Sequence, residues 1–469
     1  MRILQVGMLL PDTALSGEDS HISVLASELV KRGHSVDVLT VIPSNQIQTS
    51  TIQKDGINYY ILQKPKPYMY HAVLNPINEV YDDFDNMLFY QLFKQLGHYD
   101  VIHIHSMYPL SVAEIAKKFT DRLIHTMHGT YTINPLMHTF SSIKIQQNPL
   151  GCLAQDKFDA NHYTEEYLTM INNEFAAYRK MIYKQIKERM EYGKYLLEEV
   201  YDLVVSNGYF GLHAYLDFGV KPTKIRFIEF PVNNKITDDV IAIAQQRYEK
   251  DYDKYIYAYL SNWQYMKGQH TFVLAFTKIA ANNIEGHLYG EMNVNPQYKQ
   301  LIANLILQHN LKQKVKLKGK YTKDEMNEFA KNIYMHVNTQ AWGLGQTGTF
   351  YETMMQFGIM QIFTPSKHLA IENKFKDKYY FENSITDPNL YMLYEFELQH
   401  NPKPEYRLTE FYNELSDYIF DCGDYETLAI RIENSIGKNH FNAWFKLAKE
   451  RERRVNYDFD TYLKYLYNC

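Results

Sequence analysis

Cysteine is scarce in this chain: three residues in 469, at Cys152, Cys422 and Cys469. No two of them form a CxxC pair, and so wide a scatter builds neither a disulfide framework nor a thiolate metal site, so a reducing compartment is expected. Long apolar runs are missing as well. No stretch reaches the roughly 20 apolar residues that a bilayer-spanning helix needs. The opening MRILQVGML meets Pro11 and Asp12 within a dozen residues; lacking the charged start and long apolar middle of a secretory signal, it reads as a first strand. Nor is there a basic excess. Lys and Arg number 49 against 54 Asp and Glu, a net charge of -5, which disfavours a dedicated nucleic-acid binder. These absences place the chain in the cytoplasm, with peripheral contact at the inner face of a membrane as the furthest departure. Tryptophan is rare too, 3 residues against 41 tyrosines, but the tyrosines are spread along the whole chain and point to no one site.

What is present suits a globular protein with more than one core. A length of 469 residues favours two or three domains, and 45% hydrophobic with 22% charged residues is ordinary for folded proteins. Residues 2–10 read as a buried strand. From His21 to Arg32 the residues Ile22, Leu25, Leu29 and Val30 fall on one helical face, with Gly33 as the stop. Strand patterns recur at 36–42, 100–105, 123–127 and 203–206, with helical patterns between them. Apolar strands alternating with helices imply parallel, doubly wound sheets. A second alternating series begins at YIYAYL (255–260) and continues through 287–290, 315–319, 335–338 and 361–365. The expectation is an α/β chain of two Rossmann-like units: 1–232 with a helical insertion at about 131–200, then 233–440, then a helical tail at 441–469 packing back toward the first unit.

Several segments carry a resemblance to a known family. SGEDSHISVLASELVKRGHSVDVLT (16–40), YDVIHIH (99–105), IHTMHGT (124–130), the stretch 201–234, YLSNWQYMKGQHTFVLAF (259–276), LYGEMN, VKLKGKYTKDEMNEFAKNIYMHVNTQ and FYETMMQFGIMQIFTP follow one another in the order seen in retaining glycosyltransferase family four. That resemblance implies the GT-B fold, two Rossmann-like domains with a cleft between them, and transfer of a sugar from a UDP- or GDP-type donor. No cofactor or resident metal is implied.

The resemblance also assigns residues. A diphosphate leaving group gains negative charge as the sugar departs, and cationic side chains or helix N-terminal N–H groups can stabilise it. Lys267, ahead of Gly268 at a helix start, matches the phosphate-contacting lysine. Asn262 stands where the family usually has an arginine. Glu352 matches the second glutamate of an E-x7-E pair, the ribose-hydroxyl acceptor, while the first position is Leu344. The small residues Gly345, Gln346, Thr347, Gly348 and Thr349 form a loop whose N–H groups suit an oxyanion or sugar hydroxyls. Gly17 lies in the loop after the first strand, where backbone would approach the donor. His128, at a strand end, matches a histidine that contacts the donor sugar. Together His128 and Glu352 form the expected catalytic pair, and the other residues the donor site.

His21, His103, His105 and His125 read as packing residues. The strings Asp83-Phe-Asp85, Asp251-Tyr-Asp253 and Asp458-Phe-Asp460 read as solvated carboxylates, so no metal site is assigned. The insertion, with Tyr167, Phe175, Tyr178, Met181, Ile182, Ile186, Met190 and Tyr192 on its apolar side, is expected to help bind a glycan, lipid-linked or protein-linked acceptor, a partner chain or a second copy of this chain. The leading function is therefore a hexosyltransferase-like enzyme acting with retention on a cell-surface glycan or glycoconjugate. A non-catalytic GT-B partner subunit and a nucleotide-sugar epimerase are the alternatives.

Overall fold

A computed structural model describes residues 1–7, 17–64, 83–105, 112–128, 191–206, 215, 220–227, 236–263, 267–294, 296–339, 348–364, 414–420, 423–454, 463–464 and 466–467. The described residues divide into two compact units: those up to Phe227 together with 463–467, and those from Ile236 to Arg454. No helix among them is long and apolar enough to cross a membrane.

The first unit is built on an eight-stranded sheet. Its strands are β1 (Arg2–Val6), β2 (Ser35–Pro43), β3 (Gln48–Lys54), β4 (Ile57–Lys64), β5 (Tyr99–Ile104), β6 (Thr120–Met127), β7 (Leu203–Ser206) and β8 (Ile225–Phe227). Their order is β3-β4-β2-β1-β5-β6-β7-β8. Every pairing is parallel except β3 with β4. The exception corrects the expectation of a wholly parallel sheet: Asp55-Gly56 turns the chain back on itself, and an Asp-Gly pair is a strong local hairpin signal. Helices α1 (Gly17–Lys31), α2 (Asp83–Leu96) and α3 (Val112–Lys117) supply the crossovers. Ile22, Leu25, Ala26 and Leu29 of α1 are fully buried and join Ile3, Val36, Val101 and Ile124 in one core.

The second unit has a five-stranded, all-parallel sheet ordered β11-β10-β9-β12-β13. These strands are β9 (Tyr255–Leu260), β10 (Ile284–Tyr289), β11 (Val315–Gly319), β12 (Met335–Asn338) and β13 (Met360–Phe363). Around them lie α4 (Asp238–Glu249), α5 (Gln269–Ala275), α6 (Pro296–Gln308), α7 (Lys323–Phe329), α8 (Gly348–Phe357), α9 (Tyr425–Ser435) and α10 (Phe441–Arg454). The α/β class of two Rossmann-like sheets is as expected from the sequence.

The tail differs from the single element expected at 441–469. Helix α10 packs on α4 and α8 of the second unit, where the buried Trp444 donates from Nε1 to Met354 O at 2.9 Å. Leu463, Leu466 and Tyr467 instead lie in the core of the first unit. The division follows apolar content: α10 has its own buried face, and the last residues supply a separate one. The expected insertion is described only from Glu191 onward, so of its assigned apolar residues only Tyr192 is described, its hydroxyl donating to Glu114, and the others lie outside the described residues.

Candidate functional site

Both sheets have a topological switch point, where successive crossovers leave in opposite directions and the strand ends frame a crevice at the carboxyl edge. In the first sheet it falls between β1 and β5, and in the second between β9 and β12. The candidate residues gather at these two edges, and each edge is described by itself.

At the second edge the chain leaves β9 through Ser261, Asn262 and Trp263. That turn is stitched to the end of β10: Ser261 N–H donates to Tyr289 O at 3.3 Å and Trp263 N–H to Glu291 O at 3.1 Å. The Asn262 side chain joins in, its Oδ1 accepting from Glu291 N–H at 3.3 Å, while Asn262 O accepts from Gln269 Nε2 at 3.0 Å. Gly290 allows this closeness. Its φ is 127°, and a Cβ there would lie 1.9 Å from Ser261 O. A second close approach follows. Thr339, just past β12, donates from Oγ1 to Lys267 O at 3.1 Å and to Gly268 O at 2.7 Å. A Cβ on Gly268, whose φ is 76°, would lie 2.3 Å from Thr339 O. The Tyr259 hydroxyl also donates to Lys267 O. The backbone carrying Lys267 is thus held at the switch point from two strands.

The Lys267 side chain is half-buried, and burial pulls its pKa down to about 8. Desolvation disfavours an ammonium, and an anion bound beside it would restore the charged form. Helix α8 begins at the same edge. Thr349 Oγ1 donates to Leu260 O at 3.0 Å, tying the first turn of α8 to the end of β9. Glu352 follows one turn later. Burial raises its carboxyl pKa against the pull of Lys323, and its charge helps raise the phenol of Tyr321. Tyr321 in turn meets Tyr289 edge-on at 6.0 Å.

At the first edge, five histidines converge. His21 lies on α1, His103 and His105 at the end of β5, His125 on β6 and His128 just after it. His103 and His105 are 3.9 Å apart between ring centroids, and the His21 ring meets His105 and His128 edge-on at 5.3 and 5.0 Å. His105 Nδ1 is 3.1 Å from His128 Nε2, and its Nε2 is 2.6 Å from Gln5 Oε1. His103 Nδ1 is 2.9 Å from the Tyr467 hydroxyl, with its Nε2 2.6 Å from Thr126 Oγ1. His125 Nδ1–H donates to Ile104 O at 3.2 Å. Burial pulls His21 down to about 3 and His125 to about 4, and takes His103, His105 and His128 well below the usual imidazole range. All five are therefore neutral near pH 7, and the cluster is a network of neutral rings. Among the described residues no group of three or more His, Cys, Asp and Glu could hold a metal ion.

Of the residues singled out in the sequence, Asn262, Lys267, Thr349 and Glu352 come together on elements at the second edge. Gly348 and Thr349 open helix α8, a correction to the loop expected there, and the Thr349 hydroxyl bonds backbone. Gly345, Gln346 and Thr347 lie outside the described residues. Gly17 is likewise the first residue of α1, where a loop position was expected. Asn262 does not replace the family's arginine with another charge; its amide clamps the two strand ends. His128 stands at the carboxyl end of β6 in the first unit. Asp251 and Asp253 are exposed. The sequence reading missed Gln5, Thr339, Gly290 and Tyr467. Of these, only Gly290 had a local signal, a glycine directly after a buried strand.

Comparison with known proteins follows the same lines. The model of Glycosyltransferase Family 4 matches residues 16–234. A Klebsiella pneumoniae chain, described as an uncharacterized 42.6 kDa protein in cps region, is 23% identical over 145 residues, 29% of this chain and 38% of that one. Sucrose-phosphate synthase from Thermosynechococcus elongatus superposes with a TM-score of 0.58 at 17% identity, covering 97% of this chain and 94% of its own. The Anabaena protein HepE, in complex with UDP-glucose, superposes with a TM-score of 0.52 at 12% identity, covering 97% and 96%. The family match spans a little under half of the chain, and the superposed structures, at 12–17% identity, share its GT-B fold of two Rossmann-like sheets.

Proposed function

We propose that this chain transfers a sugar from a nucleotide-diphosphate sugar to a glycan or glycoconjugate acceptor of the cell envelope, with retention and without a metal ion. The observation that carries this reading is Lys267, a partly desolvated ammonium on a backbone held at the switch point of the second sheet. A diphosphate is the ligand that such an ammonium recognises, and the start of α8 adds N–H groups on the same edge. HepE, of like fold, is in complex with UDP-glucose, which supports a uridine donor. The Klebsiella pneumoniae relative in a cps region supports a surface-glycan acceptor. Glu352 is assigned to the ribose hydroxyls. His128 is assigned to the transferred sugar, where charge develops in the transition state.

Lys267→Ala should weaken UDP binding by about 1.5–3 kcal/mol, the range for a charge-assisted hydrogen bond. In the native protein the affinity should fall as pH rises through about 8, because the free amine loses its charge there; the variant should show no such dependence. Calorimetry at several pH values reads both effects, and equal affinities would remove Lys267 from the site. Turnover should survive EDTA, since the proposed neutralisation uses N–H groups and an ammonium. Loss on chelation with recovery on adding manganese would overturn that part.

His128→Ala should lower turnover about tenfold to a hundredfold, roughly 1.4–2.8 kcal/mol, while the donor constant changes little. Normal turnover in that variant would return His128 to a structural role. A second reading, a non-catalytic GT-B subunit, draws on Asn262 serving as a clamp where the family has a cation. Measuring UDP-sugar hydrolysis by the isolated protein separates the two, because only the enzyme reading expects turnover.

A further inference from the structure

Thr339 is fully buried, in a place that a valine of the same shape would fill as well. Its hydroxyl therefore serves a polar purpose. Buried threonines in helices commonly bond the carbonyl four residues back, but Thr339 directly follows strand β12 and has no such partner. It spends its single hydrogen instead on two carbonyls 72 and 71 residues away in sequence, Lys267 O at 3.1 Å and Gly268 O at 2.7 Å. Carbonyls only accept, so Thr339 is the donor in both contacts and the direction of this fork is fixed. Gly268 makes the room for it. A Cβ there would lie 2.9 Å from Thr339 Oγ1 as well as 2.3 Å from Thr339 O.

What the fork holds is the backbone of Lys267. The two carbonyls belong to successive peptide planes, and each plane is rigid. Pinning both constrains ψ of Lys267 and keeps Gly268 in the left-handed region, at φ 76° and ψ 25°. The direction in which the Lys267 side chain leaves the chain follows from that. At the far end of the side chain nothing polar takes over: among the described residues no hydrogen bond or ion pair engages the ammonium, and burial is the one cause that pulls its pKa down. A long side chain with no partner at its tip is placed by its backbone and by packing.

We propose that Thr339 is a positioning residue for Lys267, its hydroxyl setting the backbone that presents the ammonium to the diphosphate of the donor. The proposal rests on the assignment of Lys267 to that diphosphate. Thr339 touches no ligand itself, and its effect runs through Lys267. Loss of the hydroxyl leaves neither carbonyl bare: Lys267 O still accepts from the Tyr259 hydroxyl, and Gly268 O from Thr271 N–H at 2.9 Å. Removing it therefore loosens the turn without burying an unpaired carbonyl, and the effect falls on binding more than on folding.

The test is calorimetric titration of UDP into the full-length protein, run as a double-mutant cycle with Lys267→Ala. Thr339→Val should weaken UDP binding about threefold to tenfold, while Thr339→Ser, which keeps the hydroxyl, should bind UDP as the native protein does. In the Lys267→Ala background Thr339→Val should cost nothing further, because the group it positions is gone. A merely structural defect lowers affinity by the same factor in both backgrounds, and that result would overturn the proposal. Native affinity in Thr339→Val, or equal losses in the serine and valine variants, would do so too. Should Thr339→Val fail to fold, the same cycle with Thr339→Ala decides in the same way. Native UDP affinity in Lys267→Ala alone would instead overturn the donor-site reading on which the proposal rests.

Discussion

Lowering the pH from about 7.5 to about 5 should remove roughly 4 kcal/mol of folding stability from each unit. The cause is buried neutral histidine. In the first unit, burial takes His21 down to about 3 and His125 to about 4; in the second, His270 and His336 both fall to about 4. All four are at most 3% exposed. An imidazole in the unfolded chain titrates near 6.5, so between that value and the folded one the unfolded state binds the extra proton. Stability is flat above about pH 6.5 and falls as pH drops toward the folded values. At about pH 5 each histidine costs about 2 kcal/mol, being about 1.5 units below its unfolded pKa. His103, His105 and His128 add to the loss in the same direction. Domains commonly have about 5–15 kcal/mol of stability, so a substantial part of it should be gone near pH 5. Urea melts at the two pH values measure this; a midpoint unchanged at about pH 5 would show that these rings gain protons without unfolding.

Gly290→Ala should destabilise the second unit by about 3 kcal/mol or more and weaken UDP binding with it. Two effects add. The φ of 127° belongs to a region that side chains rarely adopt, and the new Cβ would lie 1.9 Å from Ser261 O and 3.1 Å from Asn262 N. Backbone atoms cannot swing aside as a flexible side chain can, so the turn after β9 must move away from the end of β10. That turn leads directly to Lys267, which links the stability defect to the binding defect. The readouts are a urea melt and calorimetry with UDP. A variant with native stability would show that the two strand ends are not held in contact. Native affinity in a destabilised variant would separate Lys267 from this turn.

How much of this was legible in the sequence depends on the distance between the residues concerned. Ile22, Leu25 and Leu29 define the buried face of α1 because a helix repeats every 3.6 residues. The runs RILQV, YDVIHI and YIYAYL define strands because residues buried on both sides of a sheet must be apolar throughout. The two alternating series, and with them two Rossmann-like sheets, follow from such local patterns. Lys267 before Gly268 was legible for the same reason, as a cation at a strand-to-helix turn. The hairpin at Asp55-Gly56 had its signal too, but the weakly apolar β3 hid it.

Only the tertiary structure decided what the histidines do. Singly, His103 and His105 are alternate residues of a buried strand. Brought against Gln5, Thr126 and Tyr467, they become members of one buried hydrogen-bonded network that includes His128. The end of the polypeptide joins the core of the first unit while α10, a few residues earlier, belongs to the second. Gly290 is needed because Ser261 lies against it, and Asn262 is a clamp because Glu291 is in reach. Local periodicity reports which face of an element is buried. It carries no record of which distant residue will share that burial, because the partner is chosen by packing of the whole sheet and not by the neighbours in the chain.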